Sequence, residues 1–309
     1  MHQKLVLIGA DRLDEDGPLS EFAIEARRLG FQVEVILDAS RHRQEDKTCK
    51  KLASKGIRFL LRREFSTNDL KSFFDNKSVA LSVNSQWIFS VSQIEFFSGR
   101  LYNYHNADLP LRRGKAAHSW RYLENTPITR LTFHEIVPKI DSGRILVSRR
   151  IRDKMVGLDS FYRQIRGKEL LAFRVFLRRA GKGHLLVFQR KRRESRYYPP
   201  IDSTIQGYIN WQWNAKEIVL FCLSFGAPHY GAKTFLDGKQ VTIRGAHLAR
   251  SRTKYHPYQS GLILYVDSDL VLVAAPGRGI VIPRTKISDF AEIKVGKRFQ
   301  TPYSALEMG

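Results

Sequence analysis

The sequence predicts an α/β protein of two domains, a larger one built on an open parallel sheet and a smaller, β-rich one. At 309 residues, the chain is about twice the ~150 residues of a typical domain. Lys4–Ala10, Leu19–Leu29 and Phe31–Leu37 have the hydrophobic patterns of a strand, a helix and a strand, and Gly30 stands where the helix should end. From Ala232 onward, short β-like runs are broken by Gly, Pro and Asp.

The N-terminal strand, helix and strand make a βαβ unit, which implies parallel strands joined by a right-handed crossover. The same alternation continues along the chain. Further helices are predicted at Cys49–Lys55, Asn68–Phe74, Val91–Phe97 and Asp159–Leu177. Further strands are predicted at Ile57–Leu61, Val79–Val83, Arg100–His105 and Ile128–Ile136. We therefore expect residues 1–190 to form the sheet domain.

The composition changes at Arg190–Pro200, which is basic and then carries two prolines, so a surface connection is predicted there. One more helix is predicted at Ala215–Ser224. Short strands are predicted at Ala232–Leu236, Gln240–Ile243, Leu262–Tyr265, Leu270–Ala274 and Gly279–Ile282. Short strands at close spacing are typical of a small barrel or sandwich. Residues 191–309 are therefore expected to form an OB-like, barrel-like domain.

The composition excludes several classes of protein. Lys and Arg number 52 against 30 Asp and Glu, and the net charge of +22 favours anionic partners such as nucleotides or nucleic acid. No apolar run approaches the ~20 residues of a membrane span, and the N-terminus turns polar too soon for a signal peptide. With only Cys49 and Cys222, neither a disulfide framework nor a cysteine zinc site is expected. We expect a cytoplasmic protein without a metal.

The loop after the first strand is the first place where a cofactor could bind. A dinucleotide site needs G-x-G-x-x-G, so that the backbone can approach a pyrophosphate. Here the loop reads GADRLDEDGP, without the second and third glycines. Its four carboxylates, Asp11, Asp14, Glu15 and Asp16, would repel a pyrophosphate. The sequence therefore predicts an acidic loop rather than an NAD or FAD site.

Asn103 and His105 stand two residues apart at the end of a predicted strand, so both side chains should point to one face. An amide can donate to a developing oxyanion, and an imidazole can move a proton, as acyl transfer requires. Farther along, Asp141 could orient the histidine or could simply belong to a turn. A turn is also the alternative at 103–114, because NYHNADLPLRRG is rich in residues that favour irregular backbone.

Taken together, these motifs resemble the formyltransferases that use 10-formyltetrahydrofolate. The pattern of that family is N-x-H, then L-P-x-x-R-G, T-x-H and D-x-G-x-I. Here it appears as Asn103-Tyr-His105, Leu109-Pro-Leu-Arg-Arg113-Gly114, Thr132-Phe-His134 and Asp141-Ser-Gly143-Arg-Ile145. The likeness is good over residues 80–150, is limited to topology before residue 80, and is weak over 197–235. It implies a Rossmann-like formyltransferase fold with 10-formyltetrahydrofolate as co-substrate.

The resemblance also implies a role for each matching residue. Asn103 would hold the formyl oxygen, His105 would transfer the proton, and Asp141 would orient His105 and tune its pKa. The folate pocket would consist of Trp87, Ile88 and Phe89 beside the pterin, together with Arg113, Lys115, Val137, Pro138, Lys139 and Ile140. The chain departs from the family at Asn106, where proline or glycine is usual, and this leaves the shape of the acceptor side open.

The segment Gly114–Trp120, GKAAHSW, is most similar to the sugar-nucleotide N-formyltransferases, among them the aminoarabinose formyltransferase of lipid A modification in lipopolysaccharide biosynthesis. The resemblance therefore implies the primary amine of a nucleotide-linked amino sugar as the acceptor. No metal is implied, and a homodimer is compatible with this assignment.

Three alternatives stay open. Basic runs at Arg149–Lys154, Arg178–Lys182 and Arg190–Arg196 could follow a tRNA backbone, as in methionyl-tRNA formyltransferase. Asp38–Cys49, however, lacks the glycine-rich basic insertion of that enzyme. A siderophore-type hydroxylamine, such as hydroxyornithine, is a further acceptor. A non-catalytic protein of the same fold would be expected to have lost Asn103, His105 or Asp141.

Overall fold

The computed structural model describes residues 4–12, 17–64, 66–180, 194–226, 229–288 and 290–302. The strands within these ranges are β1 (Lys4–Gly9), β2 (Gln32–Asp38), β3 (Arg58–Arg62), β4 (Ser78–Val83), β5 (Leu101–His105), β6 (Arg112–Gly114), β7 (Ile128–Glu135), β8 (Ile145–Arg152), β9 (Arg196–Tyr198), β10 (Ala232–Leu236), β11 (Lys239–Ile243), β12 (His247–Leu248), β13 (Ile263–Val266), β14 (Leu270–Ala275) and β15 (Arg278–Pro283). The helices are α1 (Pro18–Arg28), α2 (Lys47–Ser54), α3 (Thr67–Phe73), α4 (Val91–Phe96), α5 (Ala117–Leu123), α6 (Leu158–Ala180), α7 (Ser203–Gln206) and α8 (Ala215–Ser224).

Seven strands form the main sheet in the order β3-β2-β1-β4-β5-β7-β8. The first five of these strands are parallel, as expected for βαβ units. The last two run antiparallel to their neighbours, so the sheet is mixed. For β7 and β8 the connection explains the antiparallel pairing, because residues 136–144 are too few for a helical crossover. The predicted α/β fold with an open sheet is thereby confirmed.

Helices cover both faces of this sheet, which is why its central strands are almost continuously apolar. On one face, Phe22 of α1 stacks on Phe173 of α6, with ring centroids 4.2 Å apart, and Phe133 of β7 stacks on Phe176 at 4.9 Å. On the other face, α3 and the α4 region pack a second apolar cluster. That cluster contains Val6, Ile8, Ile36, Leu70, Phe73, Phe74, Ala80, Phe97 and Leu101.

A second core is built from antiparallel strands and α8. Strands β10 and β11 form a hairpin, and four more strands pair in the order β12-β15-β14-β13. Helix α8 begins with a capping box. The Asn214 side chain accepts a hydrogen bond from the N–H of Glu217, and the Glu217 side chain accepts one from the N–H of Asn214. This arrangement confirms the predicted β-rich part of the fold.

The chain divides into two compact units. One contains residues up to 114, 128–152 and 164–198, and the other contains 115–127, 153–163 and the residues from 199 onward. The predicted domain boundary, between residues 190 and 191, lies outside the described residues. The surface connection predicted at Arg190–Pro200 is in part a strand, because β9 pairs in parallel with β6. No helix in the described part of the chain is long and apolar enough to cross a membrane.

Candidate active site

In the loop after β1, the carboxylate of Asp11 has a structural role. Asp11 is fully buried, and its Oδ1 accepts the N–H of Leu19 at 2.8 Å and that of Ser20 at 3.1 Å. Its Oδ2 accepts the Thr48 hydroxyl at 3.1 Å. The carboxylate thus satisfies the free N–H groups at the start of α1, the place that a pyrophosphate takes in a dinucleotide site. The other acidic residues of this loop, Asp14, Glu15 and Asp16, lie outside the described residues.

Asn103 and His105 lie on one face of β5, at the carboxyl end of a sheet strand. Both side chains are half-buried, whereas the alternating residues Tyr102 and Tyr104 are buried on the opposite face. Tyr104 is fixed there, because its hydroxyl donates to the buried Glu169 of α6 at 2.7 Å. The alternation of a strand therefore holds the amide and the imidazole side by side, at the strand ends where open α/β sheets bind ligands.

Asn103 meets His134, which faces it across the β5–β7 pair. The Nδ2 of Asn103 lies 3.2 Å from the Nε2 of His134. The other ring nitrogen of His134, Nδ1, lies 2.7 Å from the carbonyl oxygen of Glu135. The His134 side chain is only 2% exposed, so its hydrogen bonds are made within the protein.

His105 is oriented by a backbone carbonyl. Its Nε2 donates to the carbonyl oxygen of Arg112 on β6, at 3.1 Å. The same nitrogen lies 3.9 Å from Oδ2 of Asp141, a distance at which charges interact but no hydrogen bond forms. The backbone carbonyl of Arg112 thus receives the hydrogen bond of His105, and the carboxylate of Asp141 lies within ion-pair distance of the same nitrogen.

Asp141 is held in an unusual backbone conformation, with φ at +49°, a region that aspartate tolerates better than most residues. Its Oδ2 accepts the backbone N–H of Gly114 at 2.8 Å, and its Oδ1 lies 3.5 Å from Nε2 of His134. Ile140, the residue before Asp141, is also held, because Nη1 of Arg113 donates a hydrogen bond to its carbonyl oxygen at 3.2 Å.

The surroundings of Asp141 keep its carboxylate ionised. Burial opposes the charged form, but the charge of His105, the nearby ring of His134 and the hydrogen bond from the N–H of Gly114 together outweigh it. The pKa of Asp141 therefore lies well below its ordinary value. A negative charge is thus fixed between two imidazoles whose ring centroids are 6.2 Å apart.

Two glycines of the sequence motifs are required by close backbone approaches. A Cβ at Gly114, where φ is +98°, would lie 2.2 Å from the carbonyl oxygen of Tyr198 on β9. A Cβ at Gly143 would lie 2.0 Å from the carbonyl oxygen of Glu135. Both distances are far below van der Waals contact, so only glycine allows β6 and the 136–144 connection to approach so closely.

The residues expected to hold the folate lie on three segments. In the loop after β4, Trp87 donates from Nε1 to the carbonyl of Arg63 at 3.0 Å, Phe89 is half-buried, and Ile88 is 69% exposed. Val137 is half-buried, whereas Pro138, Lys139 and Ile140 are exposed beside Asp141. Arg113 has a buried Nε without a hydrogen-bond partner in the described structure, and Lys115 is exposed.

The structure therefore brings His105, Arg113, Ile140 and Asp141 together through direct contacts or ion-pair distances. Asn103 is linked to Asp141 through His134. Trp87, Ile88 and Phe89 follow β4, which neighbours β5 in the sheet. Lys115 is adjacent in the chain to Gly114. No group of three or more His, Cys, Asp or Glu that could hold a metal is found within the described ranges.

The sequence patterns predict no role for His134, the Arg112 carbonyl or the Gly114 N–H. The signal for His134 was present, because T-x-H is one of the four motifs, but the sequence alone did not show its register against Asn103. Backbone groups carry no signature in side-chain patterns. The one hint in the sequence was that the Arg113-Gly114 pair, which belongs to β6, follows the Asn103-Tyr-His105 motif closely along the chain.

Similar architectures occur among known structures. The crystal structure of WlaRD, a sugar 3N-formyl transferase, in the presence of dTDP and 5-N-formyl-THF, superposes with a TM-score of 0.69 at 15% identity, over 94% of this chain and 99% of that chain. The N-formyltransferase of Helicobacter canadensis, in complex with folinic acid and dTDP-3-aminofucose, gives 0.67 at 16% identity, over 92% and 99%. HypX of Aquifex aeolicus gives 0.65 at 13% identity, over 91% of this chain and 45% of that chain.

At the sequence level, residues 203–297 match the family model described as formyl transferase, C-terminal domain. The chain has the formyltransferase fold. The predicted resemblance to the formyltransferase family is thereby confirmed. Within this formyltransferase fold, the cluster of Asn103, His105, His134 and Asp141 lies at the carboxyl end of β5, at the edge of the sheet where the parallel strands end.

Proposed function

We propose that this protein transfers a formyl group from 10-formyltetrahydrofolate to the primary amine of a nucleotide-linked amino sugar. The observation that carries the proposal is the cluster of an amide, an imidazole and an ionised carboxylate at the end of β5, formed by Asn103, His105 and Asp141. The formyl transferase C-terminal domain and the fold shared with sugar N-formyltransferases support it.

The first requirement of this reaction is stabilisation of an oxyanion. The neutral amine attacks the formyl carbon, a new C–N bond forms, and the carbonyl electrons move onto oxygen. Asn103 can donate a hydrogen bond to that oxygen, because an amide nitrogen carries two hydrogens and only one contacts His134. Loss of one such donor lowers kcat by about 10²–10³ in other enzymes.

The second requirement is movement of one proton. In the neutral ring of His105, the Nε2 that donates to Arg112 carries the hydrogen, so the basic lone pair is on Nδ1. Nδ1 accepts the proton that the attacking amine loses. The same proton then passes to N10 of tetrahydrofolate as the C–N10 bond breaks. The products are the formamide and tetrahydrofolate, and atoms and charge balance.

Asp141 would stabilise the imidazolium that exists between these two proton transfers. Its carboxylate oxygen is 3.9 Å from the ring nitrogen of His105, and the side chain is only 11% exposed. At that distance, in a partly buried site, a fixed negative charge favours the protonated ring by more than it would in water.

The folate would lie against the segments that flank this cluster. The pterin is assigned to Trp87, Ile88 and Phe89, and the rest of the pocket to Arg113, Lys115 and the stretch Val137–Ile140. Arg113 supports this assignment best, because its buried Nε has no hydrogen-bond partner among the residues that the structure describes. We further propose a cytoplasmic location, which fits two buried free thiols, Cys49 and Cys222.

The test is formyl transfer from 10-formyltetrahydrofolate, followed by absorbance of the tetrahydrofolate released. The acceptors are a panel of amino-sugar nucleotides, charged initiator tRNA and hydroxyornithine. Turnover with a sugar nucleotide, reduced at least ~100-fold in His105→Ala, is the expected result. If tRNA or hydroxyornithine is formylated and no sugar nucleotide is, the proposed acceptor is wrong. If His105→Ala keeps full activity, the proposed site is wrong.

One observation favours tRNA as a second candidate acceptor. Residues 238–266 contain no Asp or Glu, and five basic side chains in this stretch are exposed, namely Lys239, Arg244, Arg250, Arg252 and Lys254. Tyr258 is 80% exposed beneath the guanidinium of Arg298, which lies 5.4 Å from the ring centroid. Exposed cations beside an aromatic ring suit a phosphate backbone with unstacked bases.

A further inference from the structure

We propose that His134 is a positioning residue whose neutral form holds the amide of Asn103 in its productive orientation. Protonation of His134 would release that amide, and so give formyl transfer a second acid-sensitive group beside His105. This inference rests on the proposed function, and it concerns the protonation state of one buried ring.

The tautomer of His134 follows from its two contacts. A carbonyl oxygen can only accept a hydrogen bond, so the nitrogen 2.7 Å from the Glu135 carbonyl, Nδ1, must carry a hydrogen. In the neutral ring, Nε2 is then left with a lone pair and can only accept. The ring is almost fully buried, so water cannot readily exchange for these partners.

This tautomer fixes Asn103. An acceptor at Nε2 requires a donor opposite, and the amide of Asn103 meets it with Nδ2 at 3.2 Å. If the amide were turned by half a rotation, its oxygen would face the lone pair of Nε2, and two acceptors would repel. The nitrogen is thus kept in place, and its second hydrogen stays available for the formyl oxygen.

Protonation reverses this preference. With a hydrogen on Nε2, the ring becomes a donor on both sides, and Asp141 Oδ1, 3.5 Å away, becomes its natural partner. The N–H groups of Asn103 then face another N–H, so the amide turns to present its oxygen. The donor for the oxyanion is lost, although every side chain remains in the site.

The charged groups around His134 can be named from each neighbouring element. Strand β5 contributes His105, and the 136–144 connection contributes Asp141 and Arg144. Arg144 donates two hydrogen bonds to the carboxylate of Glu135, at 2.6 and 2.7 Å. Strand β8 places the apolar Ile145 opposite His134. Asp141 is therefore the charge that competes with Asn103 for Nε2.

The activity test uses His134→Gln and His134→Ala in the full chain. Glutamine can still accept from Asn103 but does not titrate. We expect it to keep kcat within about tenfold of wild type and to make the acid limb of log(kcat/KM) shallower by about one proton. Alanine should lower kcat by about 10²-fold, with little change in KM for the folate.

The second variant pair separates positioning from structure. If His134 acts through Asn103, His134→Ala should cost almost nothing further in an Asn103→Ala background. The matched control is His42→Gln, a buried histidine whose Nε2 accepts the N–H of Asp11 outside the site, and its acid limb should match wild type. An unchanged limb in His134→Gln, or additive losses in the double variant, would overturn the proposal.

A measurement without turnover completes the test. Long-range ¹H–¹⁵N spectra of the intact protein report which ring nitrogen is protonated, and the signal missing in His134→Gln assigns the residue. Above neutral pH we expect Nδ1 protonated and Nε2 bare, and the opposite tautomer would overturn the proposal. An inactive wild-type protein with the expected tautomer would instead refute the proposed function alone.

Discussion

Asp141 combines a positive φ, a backbone N–H and two imidazoles around one carboxylate. Such residues stay in strained backbone only where their surroundings hold them there, and strain of this kind is concentrated at functional sites. The restraint comes from two consecutive residues, because Arg113 binds the Ile140 carbonyl and Gly114 binds the Asp141 side chain.

Asp141 should make the folded state sensitive to acid. Its pKa in the folded protein lies below its ordinary value of 3.8, so the unfolded chain binds a proton more readily. The stabilisation is present above pH 3.8 and is lost as the pH falls toward the folded-state pKa. Asp141→Asn should therefore reduce the loss in the free energy of unfolding between pH 7 and pH 3, measured by urea denaturation.

The control for this prediction is Asp237→Asn, which removes an exposed ion pair with Lys297 and should leave the pH dependence nearly unchanged. If Asp141→Asn and the wild type lost equal stability on acidification, the electrostatic account of Asp141 would be wrong.

At the residue scale, spacing predicted that Asn103 and His105 share one face of a strand, and the family resemblance added Asp141 to the same predicted site. It did not predict that Arg112 would receive the hydrogen bond of His105. That bond depends on where a three-residue strand lies in space, and three residues carry no periodicity from which a strand could be recognised.

At the element scale, β6 determines the geometry of the site more than any helix does. Its Arg112 carbonyl holds His105, its Gly114 N–H holds Asp141, and β9 pairs along it in parallel. The sequence predicted the main strands and helices well, since β1, α1 and β2 bury long periodic faces. It missed β6, β9 and the seven-residue α5, whose positions depend on partners distant in the chain.

Gly114→Ala should disturb at once the two contacts that β6 makes with His105 and Asp141. The new Cβ would meet the Tyr198 carbonyl at 2.2 Å, and the φ of +98° is itself unfavourable for alanine. We expect a loss of about 1–3 kcal/mol or more in stability and a fall in kcat larger than the stability loss explains. Thermal unfolding and kcat with the best acceptor measure the two effects.

Gly99→Ala is the matched control, because Gly99 has a positive φ of +78° but open space where a Cβ would stand. It should cost only the backbone preference, about 1 kcal/mol, and leave kcat unchanged. Equal effects of the two substitutions would show that the close approach to β9 does not matter.

At the scale of the whole molecule, composition and packing divide the chain differently. The change in composition suggested that everything before residue 191 belongs to the sheet domain. Tyr122 and Leu158, however, are fully buried in the core that also contains Ile218 and Ile280. Local composition cannot show that short segments before residue 191, such as 115–127 and 153–163, belong to the compact unit formed mainly by the residues from 199 onward.

At the same scale, the large positive charge allows the nature of the acceptor to be tested. The triple variant Arg250→Ser, Arg252→Ser and Lys254→Ser removes three exposed cations from the acid-free stretch 238–266. If the acceptor is a sugar nucleotide, its kcat/KM should change less than about threefold. If the acceptor is tRNA, the affinity of the variant for tRNA should fall. The slope of the logarithm of the binding constant against the logarithm of the salt concentration should become shallower by about one unit for each phosphate that the variant no longer neutralises.

The pairing of β6 with β9 also bears on how the site is completed during synthesis. Residues 103–141 leave the ribosome long before Arg196–Tyr198, the strand that registers against Arg112–Gly114. Until that strand emerges, β6 has no partner along this edge, and the carbonyl and N–H that orient His105 and Asp141 are not yet fixed by it. The nascent chain can thus form its sheet early, while the proposed site is completed only by residues translated more than fifty positions after Asp141.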